Sequence, residues 1–300
     1  MKRLLVLLML LCLTACSAAP AEKNEPAPPA EPPVETAPSE AQKQPLPEAE
    51  VLRYEVDVLL MEKDWAAEDG TPLLTCRVQV PRMTVLREDG TAVETAQTAM
   101  EQQALAVADA FNQRFYDWTD ETPYNELAET AQADLDWYRE EGMDWYGSYA
   151  CELTCDLYQT EQMVSVSGLY YTYTGGAHPN VSRLGWNFDL TEGTFFGPDL
   201  LADGTELQTA VAEEILRQAQ TPQEGGYIPA DGYWEGYEAL IADWGSYAVF
   251  FDAAGMTVVF SPYELAPYAA GHQEFLISYD WLRPHLGPHG LELLGLGATA

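Results

Sequence analysis

The sequence predicts an α+β protein, with a largely antiparallel sheet and helices packed on it, and three observations carry that prediction. Segments that alternate bulky and polar residues come in blocks. Segments with apolar residues at helical spacing form blocks of their own, without the regular strand-helix-strand alternation of a parallel α/β sheet. Glycine-containing turns, two of them Asp-Gly, then separate consecutive strand segments closely enough for hairpins.

Residues 54–60 (YEVDVLL) alternate as a half-buried strand does, and 73–83 (LLTCRVQVPRM) do so again after a Glu-Asp-Gly turn. A third short strand is expected over 84–86, closed by the Asp89-Gly90 turn. The period then lengthens. From 95 to 118 apolar residues recur at Ala99, Leu105, Val107, Ala108, Phe111, Phe115 and Trp118, which predicts a helix. Thr122-Pro123 opens a second helix that runs to about Glu141 and stops at Gly142. Strands follow over YACELTCDLYQ, over MVSVSGLYYTYT and over 182–190. A compact loop over 193–201, a helix over 207–218, a glycine-rich loop and a short helix near 233–242 come next. The chain ends in a hairpin turning near 252–255, an irregular Pro/Tyr loop and a last strand.

The N-terminus reads differently. Lys2 and Arg3 precede an apolar run over 4–13 that ends in Leu13-Thr14-Ala15-Cys16, the pattern of a lipoprotein signal peptide over 1–15. The run is about half the ~20 residues of a spanning helix, so the expected product hangs from a lipidated Cys16 outside the cytoplasm and does not cross the membrane. Residues 16–50 are rich in Pro, Ala and Glu, hold no aromatic residue, and are expected to be a disordered tether.

With 14 Lys and Arg against 48 Asp and Glu, the net charge is −34. A field of that sign repels nucleic acid and anionic lipid headgroups and attracts basic proteins. Cys12 leaves with the signal and Cys16 takes lipid, so Cys76, Cys151 and Cys155 remain. Cys151 and Cys155, roughly 13 Å apart along one strand face, are too distant for a disulfide. A bridge from Cys76 to either, or three free thiols, are both open.

Nucleophile elbow, P-loop and HExxH strings are missing, and no cofactor or metal is expected. His285 and His289 stand at helical spacing, but Gly287 and Pro288 between them preclude a regular helix. Asp231 and Asp243 make only a weak cation site, and carboxylate pairs such as Asp117 and Asp120 read as solvated surface.

The string YYTYTGGAHPN, 170–180, stands out. Gly175 and Gly176 permit positive φ, and Pro179 fixes its own φ and pushes His178 toward extended backbone. Together with NFDLTEG, FFGPDLL and the late VVFSPYELAPYAAGHQEFLISYDWLRPHL, it resembles the bacterial extracytoplasmic family DUF3298, preceded over 51–144 by a DUF4163-like segment, with the DUF3298-like domain over 145–300. Relatives in that family include the outer domain of a lysozyme-sensing anti-sigma factor and the non-catalytic segment of a peptidoglycan deacetylase. The resemblance implies a non-enzymatic envelope protein that binds a cationic lysozyme-like protein or peptidoglycan glycan. Its expected contacts are Tyr173, Gly175, Gly176, His178, Pro179 and Asn180 in one loop and Pro262, Tyr263, Pro267 and Tyr268 in another. The rivals are an envelope-polymer enzyme with His178 as general base, and a structural module without a diffusible ligand.

Overall fold

The computed structural model describes residues 51–221 and 232–297. Expectations for the signal peptide, Cys16, the tether and Asp231 fall outside them.

Two long strands open the fold. β1 (Leu52–Ala66) and β2 (Pro72–Arg87) pair antiparallel along nearly their whole length. The separate strand expected over 84–86 is the far end of β2, because pairing with β1 continues (Val85 opposite Tyr54) until the Gly90 turn, at φ 82°, reverses the chain. Helix α1 (Ala99–Phe115) begins at Ala99, the first apolar position of the pattern expected from 95. Thr98 caps it by accepting from the Glu101 amide, and the Glu101 carboxylate reaches back to the Gln97 amide at 2.6 Å, a close relative of the capping box. The expected helical stretch out to Trp118 tightens into a 3-10 turn over Tyr116–Thr119. Helix α2 (Thr122–Glu140) carries Pro123 in its first turn and gives way to Gly142 at φ 67°.

The two helices form a crossover, and this explains the one parallel pairing. After them β3 (Tyr149–Gln159) runs alongside β2 in the same direction, Leu74–Val78 against Tyr149–Leu153. β4 (Met163–Tyr173), β5 (Asn180–Asp189) and β6 (Thr194–Phe196) then add antiparallel, completing a six-stranded sheet in chain order. The segments on either side of residue 144 thus meet in one sheet, and the described residues belong to one compact unit.

After helix α3 (Glu206–Gln220) and the short α4 (Tyr237–Ile241), strands β7 (Ala248–Phe251), β8 (Gly255–Phe260) and β9 (Gln273–Ser278) make a three-stranded antiparallel sheet. The short helices α5 (Tyr279–Leu282) and α6 (Pro288–Leu293) follow. The α+β class and the predominance of antiparallel pairing agree with the sequence. α6 starts at Pro288, so Gly287 and Pro288 do break the helix between His285 and His289.

Burial separates two cores. Phe111, Phe115 and Leu135 from α1 and α2 pack with Val78, Leu153, Val166 and Phe188 of the large sheet. Val211 and Ile215 of α3 pack with Phe251, Val258, Phe275 and Ile277 of the small one, joined by Met163 and Phe196. The two sheets meet where β5 crosses β7, and a buried polar relay holds them. Asn187 Nδ2 donates to Val249 O at 2.9 Å, Ser165 Oγ donates to Asn187 Oδ1 at 2.8 Å, and the Phe251 amide donates to Ser165 Oγ at 2.7 Å. Gly185 makes this approach possible, since a Cβ there would lie 2.1 Å from Val249 O.

Cys76 faces Cys151 across the parallel seam, both buried, and Cys155 is half-buried; all three are free thiols. The hydrogen bond with Cys151, together with burial, raises the Cys76 thiol well above the ordinary range, and burial pushes Cys155 up to about 12.

Candidate functional site

The turn between β4 and β5 has two sides with different work. Gly175 and Gly176 both have positive φ, 91° and 93°. On one side Gly175 lies against the Tyr146 ring so closely that a Cβ would be 2.6 Å from its Cζ and hydroxyl. Tyr146 donates to Thr174 O at 3.2 Å, and Tyr173 meets Tyr146 edge-on at 6.2 Å and donates to Gly176 O at 3.1 Å. Tyr173 and Gly175 therefore serve the packing of the hairpin.

The other side carries His178. Its ring stacks on Tyr268 with centroids 3.8 Å apart and planes 16° from parallel. Nδ1 lies 2.9 Å from Pro179 O, and Nε2 lies 3.0 Å from the Tyr263 hydroxyl. A carbonyl can only accept, so Nδ1 carries a proton, and in neutral imidazole Nε2 accepts from Tyr263. Both nitrogens are thereby engaged within the protein.

The second loop is held from below. Leu265 and Ala266 are buried, the Trp234 amide donates to Leu265 O at 2.8 Å, and the Glu264 carboxylate accepts from the Ser261 amide. Ser261 Oγ in turn accepts from the Arg183 amide on β5 at 3.1 Å, which ties the loop to the strand that His178 leads into. Pro267, at φ −57°, starts a 3-10 turn over Tyr268–Ala270. Tyr263 has φ 74°, the one non-glycine residue with positive φ among the described residues, and its side chain is 55% exposed. That conformation costs on the order of 1–2 kcal/mol for an L-residue, so the surrounding bonds impose it.

Of the ten contact residues expected from the sequence, the structure brings His178, Pro179, Tyr263 and Tyr268 into one cluster. Pro262 and Pro267 flank it, Asn180 is exposed at the start of β5, Gly176 shapes the turn, and Tyr173 and Gly175 face Tyr146. Tyr146, Arg183, Ser261 and Glu264 were not singled out. The spacing of Ser261 and Glu264, S-x-x-E, is a readable signal of a self-bonded turn. Among the described residues no group of three or more His, Cys, Asp or Glu is arranged to hold a metal, and no helix is long and apolar enough to cross a membrane.

No curated protein sequence matches the chain. Two crystal structures align with it: a member of the DUF3298 family from Bacteroides fragilis NCTC 9343, 13% identical, covering 79% of this chain and 95% of the other at a TM-score of 0.53, and a DUF3298 family protein from Pseudomonas aeruginosa PAO1, 16% identical, covering 79% and 96% at a TM-score of 0.41. The first has the fold described above. A family profile described as "Protein of unknown function (DUF3298)" matches residues 198–280, which span α3, the small sheet and the loop of Tyr263 and Tyr268. Over residues 198–280, then, this chain is similar to that family.

Proposed function

We propose that this protein is a non-catalytic binding protein of the cell envelope, anchored by a lipid on Cys16, whose His178, Tyr263 and Tyr268 cluster docks on a cationic lysozyme-like protein. The observation that carries the proposal is Tyr263, an exposed aromatic ring fixed in a strained backbone conformation and hydrogen-bonded to His178. An anchor ordered before binding loses little entropy on binding, and tyrosine is enriched among the residues that dominate interface energy. The net charge of −34 supports a basic partner, because opposite fields accelerate encounter. General-base work by His178 is less supported, since a base needs a nitrogen open to substrate and both of its nitrogens have partners inside the protein. Peptidoglycan glycan is the second reading, favoured by the exposed Tyr263 ring, a surface on which a sugar can stack.

The test is titration of the purified chain with lysozyme and, separately, with isolated sacculi across ionic strength. Lysozyme binding that weakens with salt and falls at least about tenfold in Tyr263→Ala, roughly 1.4 kcal/mol or more, is the expected result. Binding to sacculi alone would shift the reading to glycan. No binding to either, or equal binding by Tyr263→Ala, would overturn the proposal, and peptidoglycan turnover abolished by His178→Ala would establish the enzyme.

A further inference from the structure

The parallel seam between β2 and β3 sets two thiols side by side. Cys76 and Cys151 are register partners, so their side chains leave the sheet on the same face, and both are buried in the first core. Adjacent strands lie ~4.7–4.9 Å apart, and a disulfide spans Cα atoms ~4.4–6.8 Å apart, so two cysteines placed in this way are within bridging range. Their thiols already hydrogen-bond to one another.

The two sulfurs are not equivalent. Cys76 donates, which holds the Cys151 thiol down at about 7, and the Tyr170 hydroxyl, 3.6 Å from Cys151 Sγ, lowers it further. Tyr170 is itself held edge-on by Trp118, with ring centroids 5.1 Å apart. Near neutral pH a substantial fraction of Cys151 is therefore thiolate, the form that attacks a disulfide. Cys155 differs from both. It lies beyond the paired stretch Tyr149–Leu153, donates to Gln79 O at 3.4 Å, and is kept protonated by burial.

We propose that Cys76 and Cys151 form a disulfide site, closed during folding by exchange with a small-molecule disulfide, and that the bridge locks the seam joining the β1–β2 hairpin to the rest of the large sheet. While α1 and α2 have yet to cover the seam, Cys76 loses its proton and attacks one sulfur of the external disulfide, releasing the first thiolate. When β3 docks, the Cys151 thiolate attacks Cys76 Sγ, forms the Sγ–Sγ bond and releases the second. The external disulfide is reduced to two thiols, taking up the two electrons and two protons that the cysteines give up. The bridge closes a loop of about 75 residues that contains both crossover helices, so it constrains the unfolded chain strongly. It lies apart from the aromatic docking surface and does not depend on its partner.

Refolding the reduced, unfolded full chain in oxidising and in reducing glutathione buffers tests the site. The products are alkylated and digested with trypsin and a glutamate-specific protease, which cuts at Glu152 between Cys151 and Cys155. In the oxidising buffer, mass spectrometry should find Cys76 joined to Cys151 in most folded molecules, and their melting temperature should exceed that of the reduced form by about 5–15 °C. Cys155→Ser should keep both the bridge and the shift, whereas Cys76→Ala should melt alike in the two buffers; if Cys76→Ala fails to fold, Cys155→Ser and the peptide map decide. Chains folded in reducing buffer and only then given oxidised glutathione should gain the bridge several-fold more slowly, because both sulfurs are then covered. The proposal is overturned if Cys76 and Cys151 stay alkylatable after oxidative refolding or if either pairs with another cysteine. A bridged form that melts no higher than the reduced one would also overturn it, as would a folded chain that oxidises as fast as a refolding one.

Discussion

Replacing Gly185 by alanine probes the joint between the two sheets with a single methyl group. The added Cβ would lie 2.1 Å from Val249 O, 2.7 Å from its carbonyl carbon and 2.9 Å from its nitrogen. All three are backbone atoms, so no side-chain rotation relieves the clash. The backbone at Gly185 does not have positive φ, so alanine brings no conformational strain of its own and the cost comes from the contact. Relief requires β7 to retreat from β5 by roughly 1 Å, given that C and O atoms rest near ~3.3 Å or beyond. That movement breaks the bond from Asn187 to Val249 O and strains the one from the Phe251 amide to Ser165. Overpacking of this kind costs about 1–3 kcal/mol, and each buried hydrogen bond lost about 1–1.5 kcal/mol. A destabilisation of roughly 3–6 kcal/mol follows, a large share of the ~5–15 kcal/mol that holds a domain folded. Urea unfolding read by tryptophan fluorescence and circular dichroism gives the value. Because each core holds its own tryptophans, Trp118 and Trp186 in the first and Trp244 and Trp281 in the second, the variant should also lose coincidence between probes. A variant within about 1 kcal/mol of the parent with coincident transitions would refute the close approach of β5 and β7.

Other perturbations separate roles that look alike in the sequence. Gly175→Ala should destabilise by about 2–4 kcal/mol, through positive φ and the clash with Tyr146, whereas Gly176→Ala, with open space around it, should cost only about 1–2 kcal/mol; equal melting temperatures would remove Tyr146 from the account. Tyr263→Gly relieves about 1–2 kcal/mol of backbone strain and loses about 0.5–1.5 kcal/mol with the His178 bond, so its stability should stay near that of the parent while Tyr263→Ala falls below it, as chemical denaturation would show. The Glu101 carboxyl is held below the usual carboxylate range, first by the Gln97 amide and then by Arg87. A depressed folded value means that its contribution is full above the unfolded value of about 4.3 and is lost as pH falls through the folded value. Glu101→Gln should therefore be less stable than the parent at neutral pH, with the gap closing in acid, and a gap independent of pH in thermal melts would contradict this.

Local periodicity made most elements legible, and failures came where a local pattern continued past its cause. Trp118 keeps helical spacing beyond Phe115 because a 3-10 turn carries the chain in nearly the same direction. Thr84 to Leu86 was read as a third short strand after the one over 73–83, yet β1 pairs with both without a break. The parallel seam was not readable, since five residue pairs between distant strands leave no mark in either segment. Both candidate loops were visible as Gly- and Pro-stiffened strings, but their union depends on the bond between Arg183 and Ser261 and on the backbone of Tyr263. Neither has a signature in residue type. Arg183 itself looked like an ordinary strand residue, because the lack of a partner for one of its nitrogens is a property of the packed molecule alone.

The parallel seam also sets a timetable. A chain made from its N-terminus at ~5–20 residues per second completes the hairpin of β1 and β2 several seconds before β3 exists. Throughout that interval the inner edge of β2 offers unpaired amides and carbonyls beside Cys76, Val78 and Val80, with the core face uncovered until α1 and α2 arrive. A nascent hairpin of this kind can recruit a strand from a neighbouring chain. Production of the protein at high rates should therefore be limited by association of incomplete chains, and slowing synthesis or supplying a chaperone that shields strand edges should raise the yield of folded molecules.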